Sequence, residues 1–151
     1  MDNHNYHILI AGTRSFDDYE LMKKVCDAAF PILSEIGNIV IVSGAASGAD
    51  RLAERYAYEN NYKVLRFPAD WKKYGKSAGP IRNAEMAAVA DFFILFWDDC
   101  SAGSKNMLVN AQKHAVPGIV IRYTSVNIKE VIEAIDKRVY SAFRKEMDFR
   151  L

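Results

Sequence analysis

The chain has 151 residues, of which 50% are hydrophobic and 26% charged, and its 20 basic and 19 acidic side chains leave a net charge of +1. This composition excludes a disordered chain, which would be less apolar and more highly charged. The balanced charge also disfavours a general nucleic-acid coat protein, because phosphate binding normally leaves a basic excess.

Five short apolar runs predict five strands. Each run is rich in β-branched or aromatic residues and is followed by a glycine, a proline or a polar residue. Continuous apolar runs are typical of parallel strands that are covered on both faces. In chain order the predicted strands are 8–11, 39–42, 63–67, 92–97 and 118–121.

Amphipathic segments between and after these strands predict five helices. In the first, apolar residues recur at three- and four-residue steps from Leu21 to Ile36. Asp17 and Glu20 precede this pattern and resemble a capping box. Pro31 lies inside it, so we expect a kink or a break there.

The later helices have recognisable beginnings. Pro80 suits the first residue of the third helix, because its fixed φ and missing N–H fit the first helical position. Asn127 with Glu130 suits the cap of the fifth helix. That C-terminal helix is expected over about 127–148.

The alternation of strands and helices predicts the fold class. Right-handed crossovers make this order a doubly wound, Rossmann-like α/β fold with a mostly parallel five-stranded sheet and helices on both faces. The length suits one domain, so we predict a single domain over residues 1–151, with its core at about 7–122.

An unusual segment precedes the third helix. Residues 66–82 contain five basic side chains and one acidic one, and the connection exceeds the usual length of about two to six residues. Within it, Trp71 and Tyr74 are candidates for stacking on a base, although Trp71 could equally be a hydrophobic anchor of the segment. Asp70 is either a partner for the adjacent lysines or a weak candidate for a general base.

Four segments follow strands at the edge where an open α/β sheet binds its ligands. Small residues there let backbone N–H groups approach an anion, and the N-termini of the following helices add partial positive charge. None of the segments is a P-loop or a GxGxxG motif, so each alone is weak evidence. They are 12–15, 43–50, 68–82 and 98–104.

Short motifs within these segments occur in a particular order. They are Gly12-Thr13-Arg14, Ser43-Gly44-Ala45-Ala46-Ser47-Gly48-Ala49-Asp50, Phe67-Pro68-Ala69-Asp70-Trp71, Tyr74-Gly75, Ala78-Gly79-Pro80-Ile81-Arg82-Asn83, and Gly103-Ser104 with Met107. This combination resembles the SLOG superfamily, specifically its small single-domain YspA-like branch, over about residues 7–122. Its most specific part is FPADW followed by AGPIRN.

The resemblance implies a nucleotide or nucleotide-derived ligand, related to ADP-ribose or NAD, bound by a sensor or carrier at the C-terminal edge of the sheet. No further cofactor is implied. The superfamily also includes the LOG phosphoribohydrolases and the DNA-processing DprA/Smf proteins. The alternatives are therefore a hydrolase that cleaves an N-glycosidic bond and a DNA-binding adaptor.

Two observations weigh against these alternatives. Met107 stands where the LOG motif PGGxGTxxE has its glutamate, which disfavours the hydrolase and leaves enzymatic activity open. The net charge of +1 disfavours nucleic acid as a partner.

The loops and the resemblance together give a set of candidate ligand-binding residues. Arg14 and Arg82 would hold phosphate through their forked guanidinium groups. Alternatively, Arg14 would pair with Asp17 or Asp18, and Arg82 with Asn83 would clamp the long basic segment. Asp50 would accept a hydrogen bond from a ribose hydroxyl or, alternatively, stabilise the start of the second helix. The set is Gly12, Thr13, Arg14, Ser43, Gly44, Ala45, Gly48, Asp50, Trp71, Arg82, Asn83, Gly103 and Ser104.

The termini and the cysteines complete the expectations. The chain lacks an apolar run long enough to span a membrane, its polar start does not resemble a secretory signal, and its two cysteines are far apart. We therefore expect a reduced, cytoplasmic protein without a metal site. The apolar tail predicts a homodimer contact through the C-terminal helix or packing on its own domain. The tail residues are Tyr140, Phe143, Met147, Phe149 and Leu151.

Overall fold

A computed structural model describes residues 4–150, without the side chains of the last two. Five strands form one sheet in the order β3-β2-β1-β4-β5, and every neighbouring pair is parallel. This arrangement confirms the doubly wound, Rossmann-like α/β fold. The strands are β1 (Asn5–Gly12), β2 (Asn38–Ser43), β3 (Lys63–Arg66), β4 (Phe92–Trp97) and β5 (Gly118–Arg122).

Seven helices connect and follow the strands in the described part of the chain. Short 3₁₀ turns occupy Gly75–Ser77 and Tyr123–Ser125. The helices are α1 (Tyr19–Ser34), α2 (Ala49–Glu59), α3 (Trp71–Tyr74), α4 (Ala78–Val89), α5 (Ala102–Lys113), α6 (Ile128–Ala142) and α7 (Arg144–Arg150).

Helices cover both faces of the sheet. Helices α1, α2 and α6 pack on one face, where Ile8 and Ile10 of β1 are buried. Helices α4 and α5 pack on the other face, where Leu9 of β1 meets Met86 and Met107. Successive residues of a strand point to opposite faces, which is why β1 reads as a continuous apolar run.

The first helix differs from its prediction in two details. Its N-cap is Asp18, whose carboxylate accepts the N–H of Leu21 at 3.0 Å, rather than the predicted pair Asp17 and Glu20. The helix also continues through Pro31 to Ser34 instead of breaking. Pro31 lies in the last turn, so the one hydrogen bond that it removes is followed by only three more helical residues.

The basic segment between β3 and β4 is largely helical rather than a long loop. Asp70 caps the short helix α3, a 3₁₀ turn follows, and α4 begins at Ala78. Pro80 is therefore the third residue of its helix, not the first. This position is tolerated because the first-turn N–H groups of a helix have no helical partner.

The C-terminal helix is interrupted at Phe143, between α6 and α7. Asn127 caps α6 as predicted, accepting the N–H of Glu130 at 3.2 Å. Phe143 is buried at 4% exposure, and Met147 packs against the same cluster. These two tail residues thus pack on their own domain, which is the second of the two arrangements expected for the tail. The side chain of Phe149 and all of Leu151 lie outside the described residues.

In the part of the chain that the structure describes, no helix is both long enough and apolar enough to cross a membrane.

Candidate functional site

A cavity of about 460 Å³ opens at the carboxyl ends of β1 and β4. The chain runs from β1 to β2 and β3 on one side and then crosses to β4 on the other side of β1. This reversal of strand order is where open α/β sheets bind ligands. The cavity is lined by the loop after β1 and by the beginnings of α2, α3, α4 and α5.

Two glycines let these loops approach one another. An added Cβ at Gly12 would lie 2.2 Å from the carbonyl oxygen of Phe96, so only glycine fits between β1 and β4. Gly48 precedes α2 with a φ of 75°, and an added Cβ would lie 2.3 Å from the carbonyl oxygen of Arg14. Both glycines therefore shape the site through backbone packing.

Arg82 is the buried cation of the cavity wall. It is 9% exposed, donates to the carbonyl oxygen of Gly44 through Nη1, and donates to Asn83 through Nε. It forms no ion pair with a described residue. Burial lowers the pKa of its guanidinium, and the carboxylate of Asp50 partly offsets that effect. The remaining N–H groups of Arg82 are available to an anion in the cavity.

Asn83 holds α4 against the start of α5. Its Nδ2 donates to Oδ1 of Asn106 at 3.0 Å, and its Oδ1 accepts the bond from Arg82 at 2.9 Å. Both ends of the amide are therefore used within the protein. Although Asn83 lines the cavity as expected, its contacts position Arg82 and α5.

Asp50 is a buried carboxylate in the same cavity. It is 5% exposed, and its Oδ2 accepts the N–H of Ala46 at 3.1 Å. Burial raises the pKa of Asp50 to about 6, against the opposing effects of the Ala46 N–H and Arg82. No described residue donates to its other oxygen, Oδ1, which leaves one acceptor free to meet a ligand.

The N-terminus of α5 forms another part of the cavity wall. Ser101 caps the helix by accepting the N–H of Ser104 at 3.3 Å, and Trp97 at the end of β4 donates to the carbonyl oxygen of Ser101. The hydroxyl of Ser104 is buried and has no partner among the described residues. Gly103 lines the cavity, and an added Cβ there would meet nothing within 4 Å.

Arg14 and Trp71 stand at the rim. The guanidinium of Arg14 lies 5.6 Å from the centre of the Trp71 ring, and the ring is half exposed. Both residues also line a smaller adjoining cavity of about 210 Å³, together with Gly44 and Ala45. Arg14 and Trp71 therefore line both cavities, and Arg82 also belongs to the walls of both.

The chain matches one family model and one known relative. Residues 6–74 match the model of the YspA, cpYpsA-related SLOG family. The Gene 61 protein of Mycobacterium phage D29 is 37% identical over 120 residues, which cover 74% of this chain and 93% of the phage protein. This chain belongs to the SLOG family.

Two solved structures share the fold of this SLOG protein. DNA processing protein A from Helicobacter pylori, whose structure is described with a single-stranded DNA binding mode, matches with a TM-score of 0.60 and 23% identity over 93% of this chain and 81% of its own. DprA from Streptococcus pneumoniae matches with a TM-score of 0.60 and 17% identity over 94% of this chain and 61% of its own. At such identities the likeness concerns the fold.

The SLOG cavity contains most of the residues predicted from sequence. Its wall includes Gly12, Thr13, Arg14, Asp50, Trp71, Arg82, Asn83, Gly103 and Ser104. Gly44 and Ala45 line only the smaller cavity, and Gly48 lines neither. Met107, at the position of the LOG glutamate, is buried in the cavity wall at 4% exposure.

Ser43 is a structural residue in this SLOG domain. Its hydroxyl is fully buried, donates to Glu54 at 2.7 Å and accepts the N–H of Ala45 at 3.1 Å. Ala45 has a φ of 58°, a left-handed conformation that costs free energy for a residue with a Cβ. Ser43 thus stabilises the strained loop after β2 and does not line either cavity.

Asp70, the weak candidate for a general base, also lies outside both cavities. Its carboxylate accepts the N–H of Lys73 at 3.1 Å as the N-cap of α3. The carboxylate that does line the main cavity is that of Asp50. Sequence reasoning missed Asn106 and Ser101, whose contacts depend on the docking of α4 against α5 and on the exact start of α5.

Proposed function

We propose that this SLOG protein binds a nucleotide or nucleotide-derived ligand, related to ADP-ribose or NAD, and acts as a sensor or carrier. The observation that carries the proposal is Arg82, a buried cation with no ion pair among the described residues and with N–H groups left for an anion. Asp50 only partly offsets the cost of burying this charge, and an anionic ligand would supply the missing compensation.

The part of the wall formed by the start of α5 supports the same proposal. The free hydroxyl of Ser104 and the beginning of α5 offer hydrogen-bond donors and the positive end of a helix dipole. Trp71 at the rim offers an aromatic face for a base. Phosphate between Arg82 and α5 with a base towards Trp71 is the arrangement that we propose.

A binding experiment tests this proposal directly. We expect ADP-ribose, NAD or AMP at millimolar concentration to raise the melting temperature, since a ligand that binds only the folded state stabilises it. Arg82→Ala should abolish the rise, whereas Arg55→Ala, at an exposed ion pair with Glu59, should keep it. If Arg82→Ala does not fold, Arg14→Ala replaces it in the experiment. Arg14 is exposed, so this variant should fold, and it should weaken nucleotide binding. If none of the three nucleotides raises the melting temperature, the proposal is wrong.

A second candidate is an enzyme that cleaves an N-glycosidic bond, and Asp50 is the observation that favours it. A cavity carboxyl with its pKa raised to about 6 has the character of a general acid. Met107 in place of the LOG glutamate opposes this candidate, so we expect little release of free base from AMP. Base release that is abolished by Asp50→Asn would establish it.

A third candidate is binding of single-stranded nucleic acid. It is supported by the fold shared with DNA processing protein A and by the exposed rings of Trp71 and Tyr74, the latter with the Lys73 ammonium 5.0 Å from its centre. Aromatic platforms with nearby cations are typical of such sites. These observations favour nucleic acid as a partner, whereas the net charge of +1 disfavours it. Salt-sensitive binding of an oligodeoxynucleotide that is lost in Trp71→Ala would support this candidate.

A homodimer and a cytoplasmic location remain parts of the proposal. With Phe143 and Met147 packed on their own domain, the dimer contact would rest on Ile132 and Tyr140 of α6, which are 36% and 42% exposed. Light scattering should then give a dimer for the unaltered chain and a monomer for Tyr140→Asp. A monomeric unaltered chain would remove the dimer from the proposal.

A further inference from the structure

We infer that Asp50 recognises the sugar of the bound nucleotide and makes the site select ribonucleotides over 2′-deoxyribonucleotides. This inference rests on the proposed function, because it concerns the same cavity. It adds the sugar class of the ligand and the residue that determines it.

The hydrogen bonds of Asp50 require a donor from the ligand. An ionised carboxylate only accepts hydrogen bonds. Oδ2 accepts the N–H of Ala46 at 3.1 Å, and no described residue donates to Oδ1. The side chain is 5% exposed and lines the cavity, so its free oxygen can be satisfied only by water or by a ligand. A ligand that fills the cavity and excludes water must therefore bring a hydroxyl or an amine to Asp50.

The position of Arg82 indicates which part of a nucleotide reaches Asp50. A Cβ built on Gly44 would lie 2.8 Å from Nη1 of Arg82 and 2.8 Å from Oδ2 of Asp50. The two side-chain atoms are therefore no more than twice that distance apart, although they do not form an ion pair. If Arg82 holds the phosphate of the ligand, the part of the ligand that can reach Asp50 is the group bonded directly to that phosphate.

In a nucleotide that neighbour is the sugar, because the sugar lies between the phosphate and the base. The phosphate itself offers no donor when it is fully ionised, and its charge would repel the carboxylate. The base lies one sugar further away, towards Trp71 in the proposed arrangement. The 2′- and 3′-hydroxyls of ribose are thus the donors that Asp50 would meet, and a 2′-deoxy sugar would supply one fewer.

The other charged groups around Asp50 agree with this assignment. Arg82 and Arg14 favour its carboxylate form, whereas Glu54 of α2 opposes it. A hydroxyl that donates to the carboxylate stabilises that same form without adding charge. Selectivity should therefore be greatest at pH 7.5 to 8, above the pKa of about 6, where Asp50 is ionised before the ligand arrives.

The experiment compares matched ligands on the full chain. Calorimetric titration at pH 8 with AMP and 2′-deoxy-AMP should give a dissociation constant about ten- to a hundredfold lower for AMP, the effect of leaving a buried charged acceptor unpaired. In Asp50→Asn the ratio should fall towards one, because a neutral amide loses little when one hydroxyl is absent. Ser104→Ala is the control variant: it should weaken both ligands and keep their ratio.

The outcomes separate this inference from the proposed function. Equal binding of AMP and 2′-deoxy-AMP to the unaltered chain would overturn the inference while the nucleotide site remains. An unchanged ratio in Asp50→Asn would overturn the role of Asp50. If neither ligand binds, the proposed function and the inference both fail. Thermal melting of each variant without ligand shows whether it is folded.

Discussion

At the scale of single residues, the cavity is defined by two buried charges. Arg82 and Asp50 face one glycine, Gly44, yet each uses its hydrogen bonds on backbone or amide groups rather than on the other. Burial lowers the pKa of Arg82 and raises that of Asp50, so both lose solvation in the folded state. Side chains that reduce the stability of a fold are frequent in binding sites, where activity outweighs stability.

Burial of the Asp50 carboxylate lowers the free energy of unfolding, and this effect depends on pH. Its pKa rises from an ordinary value of 3.8 to about 6 on folding. The folded state therefore binds more protons between these two values, so the free energy of unfolding falls as the pH rises through that interval. A rise of this size corresponds to about 3 kcal/mol. We expect Asp50→Asn to be more stable than the unaltered chain at pH 8 by up to that amount, and to have no such advantage near pH 4.

Urea denaturation at the two pH values measures this difference. Asp17→Asn is the control, because Asp17 is exposed and its substitution should change the stability by less than about 0.5 kcal/mol at either pH. If Asp50→Asn has the same stability as the unaltered chain at pH 8, the carboxylate is better solvated than its burial indicates.

At the scale of elements, the site is formed where helices begin. The N-termini of α2, α4 and α5 meet around one cavity because α2 and α5 follow β2 and β4, and the segment of α3 and α4 follows β3, in the same parallel sheet. The glycines in these connections have different tasks. Gly48 lets the turn before α2 approach the turn after β1, whereas Gly103 in the first turn of α5 faces open space.

This contrast gives a paired prediction. Gly48→Ala places a Cβ against two backbone carbonyls in a left-handed conformation, so we expect it to reduce the free energy of unfolding by at least about 2 kcal/mol. Gly103→Ala should be neutral or stabilising by up to about 1 kcal/mol, because alanine favours the helix.

Chemical denaturation of both variants checks the pair. Equal stability of the two variants would contradict the close approach of the turns. Ligand binding adds a second comparison, since the methyl group of Gly103→Ala would point into open space beside the cavity wall. A folded Gly103→Ala variant with weakened nucleotide binding would support phosphate at the start of α5.

The elements also show what sequence reasoning can reach. The run 92–97 matches β4 completely, because six apolar residues covered on both faces leave little ambiguity. The sequence does not predict α3 and starts α4 two residues late, because the basic segment lacks apolar periodicity and α3 depends on the Asp70 cap. Arg82 consequently lies in the second turn of α4 rather than at its beginning.

At the scale of the whole molecule, the C-terminal segment packs back on the strands of the sheet. Phe143 sits between α6 and α7 and packs edge-on against Tyr6 of β1, with ring centres 5.5 Å apart, and near Phe92 of β4. The sequence allowed either this packing or an intermolecular contact. Nothing in the local pattern distinguishes the two, because an apolar residue that continues a helix stripe reads the same in both cases.

Replacing this side chain tests the packing. Phe143→Ala should lower the free energy of unfolding by about 3 to 5 kcal/mol, the cost of a large cavity in a core. Lys137→Ala, at an exposed position of α6, should cost less than about 0.5 kcal/mol. Similar losses in the two variants, measured by urea denaturation, would argue against the packing of the tail on its own domain.

The sequence predicts where the site lies in the fold, but it does not predict the hydrogen bonds within the site. Parallel strands bring their carboxyl ends to one edge, so Thr13, Arg82 and Ser104 could be grouped from sequence alone. Their hydrogen bonds could not be derived, because the partner of Asn83 on α5, for example, depends on how two helices pack. The roles of Ser43 and Asp70 changed for the same reason: short polar side chains serve nearby backbone groups as readily as ligands.

The placement of Trp71 gives the protein an optical reporter of its own. The chain has two tryptophans, and only Trp71 is half exposed at the mouth of the cavity, while Trp97 is held at the end of β4 by its bond to Ser101. An occupant that stacks on the indole would displace water and the Arg14 guanidinium from its face. The emission of the unlabelled chain should therefore change on titration, and Trp71→Phe should leave a signal that stays constant.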